Sequence, residues 1–267
     1  MTLFDVHAHL THERLEADLP RVLSRATKAG VTTVISNGLN PIDNQAVLEL
    51  ADAHPVVKPA LGLYPVDAVL RSMRAAGDEY DEKEESFDTD EAIAWVEARV
   101  DRAFAIGEIG LDGYWVKETY WPEQERVFRR LVKLAMEADK PVIVHSRKRE
   151  RRALEILDDL GARRVCWHCF GGKVALARVI AERGHYLSIP ANARRSEAFT
   201  RMLQTVARER ILLETDCPYL GPDKEKTNEP ANVAVTAAYT AELWGMSQAE
   251  VEARLCENFE RLFGQAP

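Results

Sequence analysis

The sequence predicts an α/β protein of the (β/α)8 TIM-barrel class, a single domain over residues 1–267. Three observations carry that expectation. Eight short runs rich in Val, Ile and Leu alternate with longer amphipathic stretches, as buried parallel strands alternate with covering helices. No internal repeat or Gly/Ser-rich linker divides the chain, and α/β barrels routinely run to ~250 residues as one unit. Five of the eight runs end in a histidine or a carboxylate, and barrel enzymes gather their chemistry at strand C-termini. A doubly wound open sheet is the runner-up, because periodicity alone does not separate the two.

The first strand is expected at Leu3–His7. A helix over Glu16–Ala29 stops at Gly30, and the second strand follows at Val31–Ser36. Pro41 opens a helix over Ile42–Ala53, ahead of a third strand at Val56–Leu61. A helix at Glu91–Val100 leads to the fourth strand, Phe104–Glu108. Phe128, Leu131, Ala135 and Ala138 recur at helical spacing between Glu118 and Asp139. The fifth strand is Val142–His145, and Arg149 to Arg152 are expected as the solvated first turn of the next helix. Arg164–His168, Tyr186–Ile189 and Ile211–Thr215 complete the strands, with a helix at Ala175–Arg183 ending on Gly184. The tail reads as helix over Asn232–Trp244 and Gln248–Leu262, with Ser247 and Glu250 spaced as a capping box.

Composition narrows the function. Hydrophobic residues at 46% and charged residues at 29% give ample material for a core and exclude a disordered chain. No apolar run approaches ~18 residues, so no membrane partner is expected. The start, MTLFDVHAHL, lacks a basic segment followed by an apolar one, so no secretory signal is expected. Four cysteines are too few for a disulfide scaffold, which points to the cytoplasm. The net charge of −8 is concentrated in one place. The stretch 78–91, DEYDEKEESFDTDE, takes nine of the 43 acids and one of the 35 bases, leaving 34 of each elsewhere. The overall acidity therefore says little against a nucleic-acid substrate.

The chemistry begins at His7 and His9. Residues two apart in a strand share a side, so both can reach one metal ion. Glu108, His145, His168 and Asp216 end four further strands. Four histidines and two carboxylates suffice for two divalent ions that share a bridging ligand. The Cys166–Cys169 spacing invites a zinc or redox reading, but no second pair completes a site; a core cysteine and a loop cysteine are expected. His12, His54 and His185 receive no role.

These residues lie in motifs: FDVHAHL (4–10), GEIGLD (107–112), PVIVHSR (141–147), HCFGG (168–172), LLETDCPYL (212–220) and NEP (228–230). In order and extent they resemble the TatD-related metal-dependent hydrolases, a branch of the amidohydrolase-type barrels. The resemblance implies that His7, His9, Glu108 and Asp216 surround one metal, and that His145 and His168 join Glu108 around a second. It implies two divalent ions (Zn, Mg or Mn), with Glu108 as the bridge and Asp216 taking the proton of an activated water. It also implies a phosphodiester substrate, a deoxyribonuclease acting on DNA from 3′ ends. Turnover of a small ester, lactone or amide is the alternative, followed by a catalytically inactive binding barrel.

Arg147 fits the family's HxR pattern as a phosphate contact, and Tyr219, Asn228 and Glu229 are candidates to shape the substrate pocket. Asp112 and Glu214 match family positions beside the ligands. Asp5 either orients a histidine or is a structural strand carboxylate. Two departures stand out. Tyr64 replaces a histidine that many relatives carry in the pocket, and the acidic insertion at 78–91 is longer than the usual connection. A loop of that charge on the catalytic face would repel long duplexes.

Overall fold

In the computed structural model, which describes residues 2–78 and 86–264, the eight strands form one parallel sheet in sequence order. They are β1 Leu3–Ala8, β2 Val31–Asn37, β3 Val57–Leu61, β4 Ala105–Asp112, β5 Val142–Arg147, β6 Val165–Trp167, β7 Tyr186–Ile189 and β8 Ile211–Leu213. The open-sheet alternative fails because β1 and the segment after β8 meet. His9 N donates to Cys217 O and Asp216 N to His7 O, each at 2.9 Å. The buried Asp5 carboxylate accepts from Thr215 N at 2.8 Å and Thr215 Oγ1 at 2.5 Å. Among the described residues no helix is long and apolar enough to cross a membrane.

The helices depart from expectation where proline and caps intervene. The helix expected over Glu16–Ala29 runs instead over Leu19–Lys28, because Pro20 is tolerated only in a first turn, and a separate short helix, Glu13–Glu16, precedes it. Thr89–Glu97 starts two residues early, where Asp88 accepts from the backbone N–H groups of Asp90 and Glu91. Leu70–Ala75 and Glu197–Thr205 are helices the sequence reading lacked; the second is capped by Ser196. The capping box at Ser247 and Glu250 is present.

Of the acidic insertion, 79–85 lie outside the described residues. Its flanks are anchored. Asp78 binds Lys117 Nζ at 2.5 Å and Tyr120 OH at 2.7 Å, and Asp88 pairs with Arg71 at 2.7 Å.

Two apolar layers hold the barrel. The outer layer lies between strands and helices and includes Val142, Val144, Trp167 and Leu213. The inner layer fills the barrel with Phe4, Val6, Ile35, Ala105, Ile143, Cys166 and Leu212. The helix Gln248–Phe263 plugs its N-terminal mouth, with Phe259 stacked on Phe4 at 4.0 Å. This leaves the C-terminal mouth for polar groups.

On β5, β6 and β8 simple alternation decides which side chains face that mouth. Ile143, Cys166 and Leu212 point inward, so His145, His168 and Glu214 do as well. On β1 and β4 the count would fail without an irregularity. Val6 lies in the inner layer and Ala8 in the outer, with a register shift between Asp5 and Ala8. Ala105 is inner while Ile106, Ile109 and Leu111 are outer, with a shift between Ile106 and Ile109. Each shift re-aims the following side chains, as bulges near active sites do, and turns His7, His9 and Glu108 inward.

Candidate metal centre

Gly110 shows how tightly β4 and β5 are set. Its φ is 154°, and a Cβ there would lie 1.9 Å from His145 O. Only glycine lets the two strands hold Glu108 and His145 side by side.

The two carboxylate oxygens of Glu108 face two different groups. Oε2 lies 3.3 Å from His7 Nε2 and 3.6 Å from His9 Nε2. The same imidazole nitrogens are 3.2 Å apart and lie 3.7 and 3.4 Å from Asp216 Oδ1. These spacings match the edge of a tetrahedron around a cation with bonds of ~2.1 Å, about 3.4 Å. On the other side, Glu108 Oε1 lies 2.8 Å from His145 Nδ1 and 3.8 Å from His168 Nε2. The donor set therefore fits divalent cations, with Glu108 between two clusters. His7, Glu108 and His168 also converge closely enough to share an ion, as do His7, His9 and Asp216.

Two carboxylates steer the second pair of imidazoles. Asp112 Oδ2 holds His145 Nε2 at 3.0 Å, and Glu214 Oε1 holds His168 Nδ1 at 3.1 Å. Such partners fix ring orientation and raise ligand basicity. Glu214 is itself held by Cys169 N at 3.0 Å and by Ser188 Oγ. His9 Nδ1 rests 3.3 Å from Asn37 O.

The electrostatics follow from packing acids against imidazoles. Burial pushes the Glu108 carboxyl up, but hydrogen bonds to His145 and His7 outweigh it and hold the group well below the usual range. Asp216 is also lowered, burial being overcome by the charge of His168 and the hydrogen bond to His9. Burial opposes protonation of His9, yet Asp216 and Glu108 raise it to about 9. His168 rises to about 10, with Glu214 and Asp216 overcoming burial. His7 goes the other way, lowered by burial and by the neighbouring His168, so the four imidazoles do not hold protons alike.

A cavity of about 1570 Å³ opens over this cluster, walled by Glu108, His145, His168 and Asp216 together with Tyr64, Arg147 and Tyr219. Ser86 and Phe87, from within the acidic insertion, also line it. Tyr64 meets the edge of the His145 ring, with centroids 5.0 Å apart. Tyr219 is half-exposed, and its hydroxyl lies 3.0 Å from His12 Nε2. Asp216 adopts φ 56°, an uncommon left-handed conformation of the sort found where a site fixes a side chain.

Of the two readings of Asp5 the structural one fits, and three other expectations need correction. Asp5 reaches Thr215 and the His7 backbone rather than an imidazole, so it closes the barrel instead of orienting a ligand. Asn228 is buried, its amide donating to Thr215 O and Tyr219 O, and so braces the last loop instead of contacting substrate. Glu229 faces away and pairs with Arg25 at 2.6 Å. Arg149 is not solvated; it is buried over the Trp121 ring and pairs with Glu125 at 2.5 Å. Cys166 is a buried free thiol and Cys169 a partly buried one, as expected. The sequence reading missed Tyr114 and Trp115, which line the cavity. Two adjacent aromatics directly after the fourth-strand motif were the available signal.

The chain matches the family described as TatD related DNase over residues 4–264. It belongs to that family. Among TatD relatives, it is 32% identical to the uncharacterized metal-dependent hydrolase YabD of Bacillus subtilis, covering 98% of both chains. It is 30% identical to the 3′-5′ ssDNA/RNA exonuclease TatD of Citrobacter rodentium, again over 98% of both. The crystal structure of YJJV, a TatD homologue from Escherichia coli K12, superposes with a TM-score of 0.84 at 25% identity, over 99% of this chain and 98% of that one. The chain is thus a metal-dependent hydrolase of the TatD family.

Proposed function

We propose that the protein hydrolyses phosphodiester bonds at DNA ends, using two divalent cations. One observation carries the reading: Glu108 turns Oε2 toward His7 and His9 and Oε1 toward His145 and His168 at the floor of one cavity. His7, His9, Glu108 and Asp216 would hold one cation, and Glu108, His145 and His168 the other. When bound, the pair supplies Lewis acidity toward a phosphoryl oxygen and acidifies water. The imidazole-rich set suits Zn better than Mg, with Mn between them.

The protein groups divide the remaining work. The lowered Asp216 is ionised at neutral pH and lies at the cavity wall, where it accepts the proton of the attacking water and passes it to the leaving oxygen. Arg147 is exposed at the cavity and supplies a charge for a flanking phosphate. The name of the Citrobacter relative supports 3′ ends as the point of attack. The four free thiols support a reducing compartment, the cytoplasm.

The test is a substrate panel with added Mg²⁺, Mn²⁺ or Zn²⁺. End-labelled single-stranded DNA, duplex DNA and RNA are compared with a carboxylic ester and a lactone. Cleavage of DNA from the 3′ end is expected. Failure on every nucleic acid with turnover of the ester would replace this reading with that of a small-ester hydrolase.

A further inference from the structure

We infer that Tyr114, Trp115 and Arg147 form a platform on which an unpaired terminal nucleobase stacks. This rests on the phosphodiesterase reading and adds a recognition surface to it. Tyr114 and Trp115 are 52% and 48% exposed, whereas most large apolar side chains here are buried. Apolar surface left in water at a cavity marks a binding surface more often than chance. The two rings stand perpendicular with centroids 4.8 Å apart, in the wall of the cavity that contains Glu108 and His145.

Arg147 completes the surface. Its Cζ lies 3.8 Å from the Tyr114 ring centroid and 5.8 Å from that of Trp115. Among the described residues no carboxylate pairs with it. A guanidinium stacked on a ring offers its other face to a base and its N–H edge to a phosphate. Aromatic and arginine faces of this kind bind bases with little regard to sequence, because every base has a π-face.

The platform is also fixed relative to the candidate metal ligands. Asp112 Oδ1 accepts from Tyr114 N and Trp115 N, both at 2.7 Å, while Oδ2 of the same carboxylate holds His145. Gly113 N donates to Arg147 O at 2.8 Å, tying the loop to β5. One carboxylate therefore sets the spacing between a stacked base and the reacting phosphate. Inside a duplex, neighbouring pairs cover both faces of each base. Only a terminal or unpaired base has a face to give.

Two measurements test this. In the first, a single-stranded oligonucleotide carries a terminal 2-aminopurine behind a hydrolysis-resistant phosphorothioate, and its fluorescence is read on binding. Stacking quenches it; quenching is expected with the wild type and is lost in the Tyr114→Ala/Trp115→Ala double variant. In the second, kcat/KM is compared between an intact terminus and one whose last nucleotide is abasic. The wild type is expected to favour the intact end by roughly tenfold or more, the worth of one stacked base, and the double variant by little. That ratio does not depend on how much of a variant is folded. Absence of quenching in the wild type, or an unchanged ratio in the double variant, overturns the platform. If the wild type cleaves no DNA with any metal, the phosphodiesterase reading fails separately, and the quenching measurement still decides the platform.

Discussion

Replacing Asp112 by asparagine separates the two clusters around Glu108. The side chain is buried and nearly isosteric with asparagine, so the fold has no reason to change. Asparagine Oδ1 can keep the contacts to Tyr114 N and Trp115 N. The loss falls on Oδ2, which lies 3.0 Å from His145 Nε2. His145 turns Nδ1 toward Glu108, so Nε2 must carry the ring proton when Nδ1 ligates. An amide nitrogen there sets donor against donor. A hydrogen bond to a charged group is worth about 1.5–3 kcal/mol, or roughly 10- to 100-fold in affinity. Loss of an outer partner of a metal ligand costs about the same range. Calorimetric titration of metal-free protein with Mn²⁺ or Zn²⁺ should therefore show one site weakened by that factor. The site of His7, His9 and Asp216 should stay within a few-fold. Unchanged affinity at both sites would refute the orienting role, and an equal fall at both with a lowered Tm would show that Asp112 matters only to folding.

Asp216→Asn should keep the circular dichroism and melting profile while kcat falls by about 10²-fold or more; wild-type turnover would remove its proton-transfer role. Glu125→Gln tests the buried Arg149. Arg152 and then Arg149 hold the Glu125 carboxyl below its ordinary 4.5, so its ionised form stabilises the fold at neutral pH. Its folded pKa is depressed, so the contribution is present above about pH 4.5 and lost as pH falls through the lower folded value. The variant should lose roughly 2 kcal/mol at pH 7, and the deficit should shrink as denaturant melts are taken toward pH 3. Replacing Glu79, Asp81, Glu82, Glu84 and Glu85 by their amides should raise kcat/KM on duplex DNA more than on single strands at low salt. Equal changes on both would end the idea of an electrostatic gate.

The strand order was legible because buried parallel strands are short Val/Ile/Leu runs between amphipathic helices. His145 and His168 were legible for the same reason, since each continues an unbroken alternation from Ile143 and Cys166. His7, His9 and Glu108 differ. Their motifs stand out, but counting from Val6 or Ala105 would aim them outward, and only the register shifts in β1 and β4 turn them in. A shift of one residue leaves no mark on composition. Asn228 was misread, and Asp5 stayed open between two roles, because polar side chains near a site serve equally well as braces. Which role they take depends on backbone partners such as Thr215, some 210 residues from Asp5 in sequence. Arg149 sat in a basic run that looks solvated, and the ring of Trp121 and the carboxylate of Glu125 that cover it come from the preceding helix.

The closure between β1 and the segment after β8 bears on how the protein is made. His7 and His9 leave the ribosome early, yet the carboxylate they face, Asp216, and the residue that pins their strand, Thr215, are translated near the end. Contacts of such sequence separation form late, because the loop must close before they reward it. A nascent or truncated chain ending before Thr215 holds histidines but no completed cluster around His7 and His9. The cluster around His7 and His9 is therefore a property of the nearly finished polypeptide.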